Sequence, residues 1–329
     1  MQALAYRRYG NAADVLRIED IPCPAPQAGE VTVDLAFSGV NPSDVKARAG
    51  ARAGAAEMPF PLIVPHSDGA GVISAIGEGV AGERLGQRVW IWNGQWRRAL
   101  GTAAAQITLP AAQAVPLPDN LPLETGAVLG IPGLTAAHAV FGGGDVSGRT
   151  VLVQGGAGTV GHLAMQLARR GGARTIATAR GRGLDQVRGA GADAALDFES
   201  PDLAQEILAA NGGHPVDRII EVEFGRNIAT DTEVIAENGT ICAYGSALAP
   251  EPGLPFYPLL FKAVTVELML VYLLPDAARA AAIRRLHDAL RHGALDCPVA
   301  AVFDLADGAR AHDAVAAGAR EGAILLRTA

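Results

Sequence analysis

The chain has 329 residues, half of them hydrophobic and 19% charged, with a formal net charge of −7. That composition excludes a disordered chain and leaves room for two domains, each with its own core. The acidic balance, with no lysine–arginine block, argues against nucleic acid or an anionic membrane as partner.

The opening, "MQALAYRRYGNAADVL", carries charges every few residues and no apolar run of the signal-peptide kind. Three short runs follow, "VTVDLAFSGV", "GAGVISAIG" and "QRVWIW", bounded by glycine, proline or charge. They predict a compact, mostly antiparallel domain. A proline-rich stretch, "LPAAQAVPLPDNLPLE", reads as a connection before the rhythm changes. From about Gly148 strands alternate with helices. The strands are "TVLVQG", "RTIATA", "AALDF", "VDRIIEV", "GTICAYG" and "AVTVELML". Between them lie helical stretches such as "VGHLAMQLARRG", "GLDQVRGAG" and "DLAQEILAANG", most of them stopped by glycine. The pattern predicts a parallel sheet with right-handed crossovers. An amphipathic helix then places Ile283, Leu286, Ala289 and Leu290 on one side, followed by "AVFDL", a further helix and a closing strand "GAILLR".

Cys23, Cys242 and Cys297 are scattered, and no CxxC, HxxxH or HExxH pair occurs. Neither a disulfide framework nor a cysteine zinc knuckle is expected, and a reducing cytoplasm is the expected compartment. The most apolar stretch, "VELMLVYLLP", carries Glu267, stops at Pro275 and is too short to span a membrane.

The stretch "VLVQGGAGTVGHLAMQLARR" holds the chemistry. Gly156, Gly158 and Gly161 spell GxGxxG where a strand passes into a helix. The first glycine permits a tight turn, the second lets backbone approach a pyrophosphate, and the third lets helix and strand lie close. The amides of Gly155, Gly156, Gly158, Thr159, Val160 and Gly161 would then hold the phosphates at the positive end of the helix. A site for NAD ends its second strand on a carboxylate that takes the ribose hydroxyls. Here Arg180 stands at that place, with Arg182 two positions on. A guanidinium pairs with the 2′-phosphate, so the expected cofactor is NADPH.

Beyond this turn the chain resembles a known family over nearly its whole length. "SGVNPSDVKARAG", "VPHSDGAGVISAIGEGV", "GAVLGIPGLTAAHAV" and "SGRTVLVQGGAGTVGHLAMQLAR" are similar to segments of the zinc-independent medium-chain dehydrogenase/reductases, the zeta-crystallin or NADPH:quinone oxidoreductase family. The resemblance implies an α/β protein with a Rossmann doubly wound parallel sheet inserted in a GroES-like β-rich domain. The boundaries expected are 1–121 plus 275–329 for the GroES-like catalytic domain and 122–274 for the cofactor domain. The resemblance also implies a cleft between the domains for nicotinamide and substrate, and a homodimer formed through the last strand. The zinc ligands of metal-dependent relatives align with Asn41, Ser67 and Ile131, with Asp68 as the acidic neighbour. That set lacks the three good donors a catalytic zinc needs.

The expected activity is metal-free hydride transfer from NADPH to a quinone or activated alkene, whose conjugation spreads the incoming charge. The rivals are an enoyl or enone reductase of a metabolic thioester and a non-catalytic, crystallin-like NADPH-binding protein. By resemblance, Asn41 lies by the nicotinamide and Thr135 beneath it. Gly245 and Ser246 line the adenine or ribose side, and Met269 and Leu270 offer backbone to the carboxamide. Lys46 stands where many relatives carry tyrosine, and either supplies a cation to the developing enolate or faces solvent. Trp90, Trp92 and Trp96 either wall the pocket or belong to the core or a subunit contact. A lysine near the end of many relatives is Ala323 here, leaving Lys262 or Arg320 as candidate helpers of Arg180.

Overall fold

The structure, a computed structural model, describes residues 1–51, 57–318 and 320–328. The chain divides into two compact units, Met1–Ile131 with Cys297–Ala329, and Pro132–Asp296.

In chain order the first unit holds β1 (Gln2–Ala5), α1 (Ala12–Val15), β2 (Arg17–Asp20), β3 (Glu30–Val40) and α2 (Pro42–Arg48). It continues with β4 (Asp68–Ile76), β5 (Arg88–Ile91), β6 (Gln106–Pro110), β7 (Ala114–Pro116) and α3 (Leu123–Val128). The second unit begins with α4 (Leu134–Phe141), β8 (Thr150–Val153), α5 (Thr159–Arg170), β9 (Arg174–Ala179), α6 (Gly183–Gly189) and β10 (Ala194–Asp197). Then come α7 (Leu203–Ala210), β11 (Val216–Glu221), α8 (Phe224–Val234), β12 (Ile235–Ala243), α9 (Phe256–Phe261), β13 (Thr265–Leu268) and α10 (Asp276–Arg291). The chain returns to the first unit with β14 (Val299–Asp304), α11 (Gly308–Ala317) and β15 (Ala323–Arg327).

β3 is the spine of the first unit. Its first half pairs with β6 and its second half with β15, while β4 runs antiparallel along its other edge. Val31, Val33 and Leu35 alternate inward and meet Ile73, Val89, Ile91, Ile107 and Leu109. The proline-rich stretch is more than a connection: it carries the end of β6 and all of β7, which pairs with β5. Pro116 is tolerated because β7 is the last strand of its sheet, where a missing N–H breaks no ladder. Trp90 is fully buried on β5, so it is core. α3 lies close on this sheet because its contacts are small. A Cβ on Gly126 would be 2.8 Å from the Ala70 Cβ, and one on Gly39 would be 2.4 Å from the Ala127 carbonyl oxygen. This packing keeps residues 122–131 with the first unit and corrects the boundary expected at 121.

The second unit is a parallel sheet, six-stranded among the described residues, in the order β10-β9-β8-β11-β12-β13. All six strands correspond to runs predicted from sequence. The order reverses between β8 and β11, the place where open α/β sheets bind ligands. Leu152, Ile176, Ile207, Ile219, Phe224, Ile228 and Ile241 form its main core. α10 packs on α4, with Ala282, Leu286, Ala289 and Leu290 buried. That burial places α10 in this unit and corrects the boundary expected at 274. Among the described residues no helix is long and apolar enough to cross a membrane.

Candidate active site

In the first unit Asn41 follows β3 and caps α2. Pro42 at the first helical position needs no N–H partner, and the Asn41 N–H donates to Asp44 Oδ2 at 2.8 Å. The Asn41 side chain, 7% exposed, donates from Nδ2 to Asp68 Oδ2 at 2.8 Å. The other oxygen, Asp68 Oδ1, accepts the Ile131 N–H at 2.7 Å. That amide sits in the wide π turn of Leu129–Gly133, which contains Pro132. Such turns often mark functional sites. A Cβ on Gly130 would stand 2.2 Å from Asp68 Oδ1, so only glycine admits this approach. Burial pushes the Asp68 carboxyl well up, and Asp44 adds to it, while the Asn41 and Ile131 donors pull it back.

Asp68 therefore fixes the Asn41 amide. One Nδ2 hydrogen is spent on Asp68 and the side-chain acceptor takes the Asp44 N–H in a capping box, while the second Nδ2 hydrogen remains. The residues at the aligned zinc seats do not fit a metal. Asn41 and Ile131 both turn N–H donors toward Asp68, and Ser67 Oγ accepts the Gln95 N–H at 3.4 Å. Among the described residues no group of three His, Cys, Asp or Glu side chains is placed to hold an ion.

Next to this centre lies a histidine pair that sequence reading missed. His66 has φ +76°, an uncommon conformation for a non-glycine residue. Its Nδ1 is 2.9 Å from Ser38 Oγ, and its Nε2 is 2.9 Å from His312 Nε2 on α11. The rings stack with centroids 5.1 Å apart, and both side chains are fully buried. Burial lowers both imidazoles. The neighbouring ring adds to the effect at His66, and the Arg48 charge adds to it at His312, which falls to about 3.

In the second unit the glycine turn follows β8 as expected. Gly155 has φ +69°, and a Cβ on Gly161 would be 2.4 Å from the Gly155 carbonyl oxygen. A Cβ on Gly156 would be 2.8 Å from the Ala177 Cβ, which is the close helix–sheet contact. Gly158 caps α5 and is open: a Cβ on it would meet only the Gly155 oxygen, at 3.4 Å. The first-turn amides of α5 at Thr159, Val160 and Gly161 have no acceptor within the helix. The turn thus fits a dinucleotide phosphate.

Arg180 and Arg182 are exposed past the end of β9. Arg180 pairs with Glu199 at 3.0 Å and lies over the Phe198 ring, 5.8 Å from its centroid. Arg226 approaches the same ring at 5.7 Å, a second cation that sequence reading did not single out. Gly245 and Ser246 follow β12. The Gly245 carbonyl accepts the Phe224 N–H at 2.9 Å, and Ser246 Oγ accepts the Gly225 N–H at 2.9 Å, so both are tied to the start of α8. Met269 and Leu270 follow β13, and the Met269 N–H is already given to the Ala243 carbonyl at 2.8 Å. The glycine turn, Arg180, Gly245, Ser246, Met269 and Leu270 thus all lie at the carboxyl ends of the parallel strands, where ligands bind.

Other expected residues fall elsewhere. Thr135 is buried on α4 of the second unit, while Asn41 and Lys46 belong to the first. Lys46 is exposed. Trp92 and Trp96 are half-buried, and Arg97 lies over Trp96 at 5.4 Å. Lys262 is no free helper of Arg180. Its Nζ donates to the carbonyls of Thr232, Glu233 and Ile235 and closes the end of α8. Arg320 donates to the Val315 carbonyl at the end of α11.

A Rossmann-ordered sheet with a glycine turn, in one chain with a β-rich unit, defines an oxidoreductase of the medium-chain dehydrogenase/reductase class. Comparisons with known proteins agree. A GroES-like alcohol dehydrogenase domain matches residues 27–119, and a zinc-binding dehydrogenase domain matches residues 159–288. The quinone oxidoreductase of Rattus norvegicus is 30% identical over 249 residues, 74% of this chain and 73% of the rat protein. A mycobacterial protein solved with NADPH superposes with a TM-score of 0.87 at 27% identity, covering 99% of this chain and 100% of its own. An NAD-dependent alcohol dehydrogenase superposes with a TM-score of 0.90 at 27% identity over 100% of both chains. The chain belongs to the quinone oxidoreductase family of the medium-chain dehydrogenase/reductases.

Proposed function

We propose that this protein is an NADPH-dependent reductase of quinones or activated alkenes that works without a metal. The observation that carries the reading is the cofactor end of the second unit. A glycine turn open over Gly158 stands beside a second strand that ends on Arg180 and Arg182 rather than on a carboxylate. Bound there, the dihydronicotinamide would supply the hydride. The amides of Thr159, Val160 and Gly161 would hold the pyrophosphate, since those of Gly155, Gly156 and Gly158 are already given to Thr178 Oγ1, the Thr178 carbonyl and the Gly155 carbonyl, and Arg180 would take the 2′-phosphate once it displaces Glu199. A mycobacterial relative binds NADPH and another relative is NAD-dependent, so the choice of NADPH rests on Arg180 and Arg182. Asn41, its amide aimed by Asp68, keeps one N–H for an acceptor oxygen, and a preorganised donor is a strong catalytic term. A donor of that kind suits a conjugated acceptor, and the rat quinone oxidoreductase supports the quinone class.

The test follows NADPH oxidation with 9,10-phenanthrenequinone, with crotonyl-CoA and with neither, before and after exhaustive chelation. Turnover of the quinone that survives chelation is expected. Turnover of the thioester alone would move the reading to an enoyl reductase. Activity lost with chelation and restored by a divalent ion would end the metal-free reading.

The resemblance-based expectation of a homodimer also belongs to this proposal. Among the described residues β13 is an edge strand, and its last residue, Leu268, is 75% exposed. On the neighbouring α9, Tyr257 and Phe261 are 66% and 81% exposed. An apolar edge of this kind is an aggregation hazard in a free monomer, and a second copy pairing on β13 would cover it.

A further inference from the structure

Beneath the glycine turn runs a buried hydrogen-bond chain that the cofactor reading leaves unused. The Gly155 N–H donates to Thr178 Oγ1 at 3.1 Å. That hydroxyl donates to Gln154 Oε1 at 2.7 Å, and Gln154 Nε2 donates to Asp231 Oδ1 at 3.0 Å. The direction is forced. An amide N–H only donates, so Thr178 passes its own hydrogen onward, and Gln154 must turn its amide nitrogen to Asp231. Thr178, Gln154, Asp231 and Glu221 are all 1% exposed or less.

At the far end, Asp231 Oδ2 is buried and receives no N–H or O–H donor. The Asp231 side chain interacts with the Glu221 carboxyl. Glu221 has gathered donors of its own. Asn227 Nδ2 is 3.1 Å from each of its oxygens, and the Glu223 N–H donates to it as well. Two carboxyl groups in contact in a dry site cannot both ionise. The oxygens of Glu221 are already accepting, so the shared proton has one open place, Asp231 Oδ2. With it there, every partner in the chain is satisfied.

We propose that Asp231 is a carboxylic acid donating its proton to the Glu221 carboxylate, and that this pair positions the Gly155 turn for its dinucleotide. The positioning half rests on reading that turn as the NADPH cradle. Gly155 ties the two together. Its N–H is held inward by Thr178, and a Cβ on it would be 2.9 Å from Val222 Cγ1, the residue after Glu221. The groups facing the pair are Gln154 beyond β8, Thr178 on β9, Asn227 on α8, Glu223, and the Tyr244 hydroxyl beyond β12. Among the described residues no cation acts on either carboxyl, and burial pushes both carboxyls and the Tyr244 hydroxyl upward. Stripping the proton at alkaline pH would set two negative charges beneath the pyrophosphate.

The experiment combines infrared spectroscopy of the ligand-free full chain with NADPH titration of nicotinamide fluorescence. Near neutral pH the difference spectrum between wild type and Asp231→Asn should hold the carbonyl stretch of a protonated, buried carboxyl, since the raised Asp68 carboxyl is common to both and cancels. Asparagine offers Oδ1 to Gln154 and an N–H to Glu221, which copies the acid. Its Kd for NADPH should stay within about twofold of wild type and should not rise at alkaline pH as the wild-type Kd does. Asp231→Ala breaks the chain and should raise Kd about 5–10-fold, the worth of one buried hydrogen bond. The absence of that stretch from the difference spectrum overturns the acid pair. Unchanged affinity in Asp231→Ala overturns the positioning role. A wild type that ignores NADPH overturns the cradle reading and the positioning role together, and the infrared band then decides the acid pair alone.

Discussion

The His66–His312 pair makes a quantitative demand on acid stability. Two imidazoles meeting Nε2 to Nε2 at 2.9 Å need one N–H and one lone pair between them. A second proton would set N–H against N–H in a fully buried site beside Arg48. Burial and the Arg48 charge accordingly hold His312 down at about 3. In the unfolded chain a histidine titrates near 6.5. Below that value the unfolded state binds a proton that the folded state refuses, so stability falls as pH drops. Linkage between about 6.5 and the folded value puts the loss at about 2 kcal/mol by about pH 5 and about 3 kcal/mol by about pH 4.

All three tryptophans, Trp90, Trp92 and Trp96, lie in the same unit as the pair, so their fluorescence reports that unit. Urea unfolding followed by this signal is compared for wild type and His312→Gln, near neutral pH and near pH 5. Glutamine can still donate to His66 Nε2 and does not titrate. The acid-induced loss should be smaller in the variant by about 2 kcal/mol, whatever its stability at neutral pH. Comparing the two proteins cancels the other titrating groups that they share. Equal losses in both would refute the claim that His312 is held neutral by burial.

Further expectations follow from single contacts. Arg180→Ala should weaken NADPH binding by about 10–100-fold with NADH little changed, since a charge-assisted pair is lost. Glu199→Gln should tighten NADPH a few-fold, because the phosphate no longer competes for Arg180; both are read by fluorescence titration. Asn41→Ala strips the donor from buried Asp68 Oδ2 and should cost about 1–3 kcal/mol in tryptophan-monitored unfolding, alongside lower turnover. An unchanged unfolding midpoint would show that the Asn41–Asp68 bond is not held. Cys242 is fully buried and its thiol is pushed up to about 12, mainly by burial, so a thiol reagent in mild alkali should modify Cys23 and Cys297 but spare Cys242 until the chain unfolds. Phe261→Glu should shift the sedimentation coefficient from dimer to monomer, and a wild-type monomer would sink the dimer proposal.

The regular parts of this molecule were legible because local chemistry writes them. Each parallel strand of the second unit is a short apolar run closed by glycine or a charged turn, and a helix follows the GxGxxG turn. β7 was not legible, since prolines at an edge strand look the same as prolines in a connection. The domain boundaries were missed by about ten residues at 131 and about twenty at 296, because α3 and α10 are amphipathic helices that carry no mark of which sheet they cover. The candidate site was legible where backbone does the work, in the glycine turn, and Arg180 falls past the end of β9 as its place in the sequence implies. Pairings across the sequence were not. His66 and His312 lie 246 positions apart, and Gln154 and Asp231 lie 77 apart. The one signal was a glutamate directly after the apolar pair Ile219–Ile220 at the end of "VDRIIEV", a costly place for a charge unless something holds it.

Those hidden pairs pull stability in opposite directions, which sets a pH window. His66 and His312 are lowered, so they refuse protons that the unfolded chain takes below about 6.5, and stability falls toward acid. Asp68, Glu221 and Asp231 are raised, so they keep protons that the unfolded chain gives up above about 4, and stability falls toward alkali. Between about 4 and 6.5 the two slopes oppose each other, and above 6.5 only the carboxyl slope remains. The histidine pair and Asp68 belong to the first unit, and the Glu221–Asp231 pair to the second. Acid should open the tryptophan-bearing unit first. Alkali should loosen the glycine turn through Glu221 and Asp231, and a change in the tryptophan signal there reports Asp68.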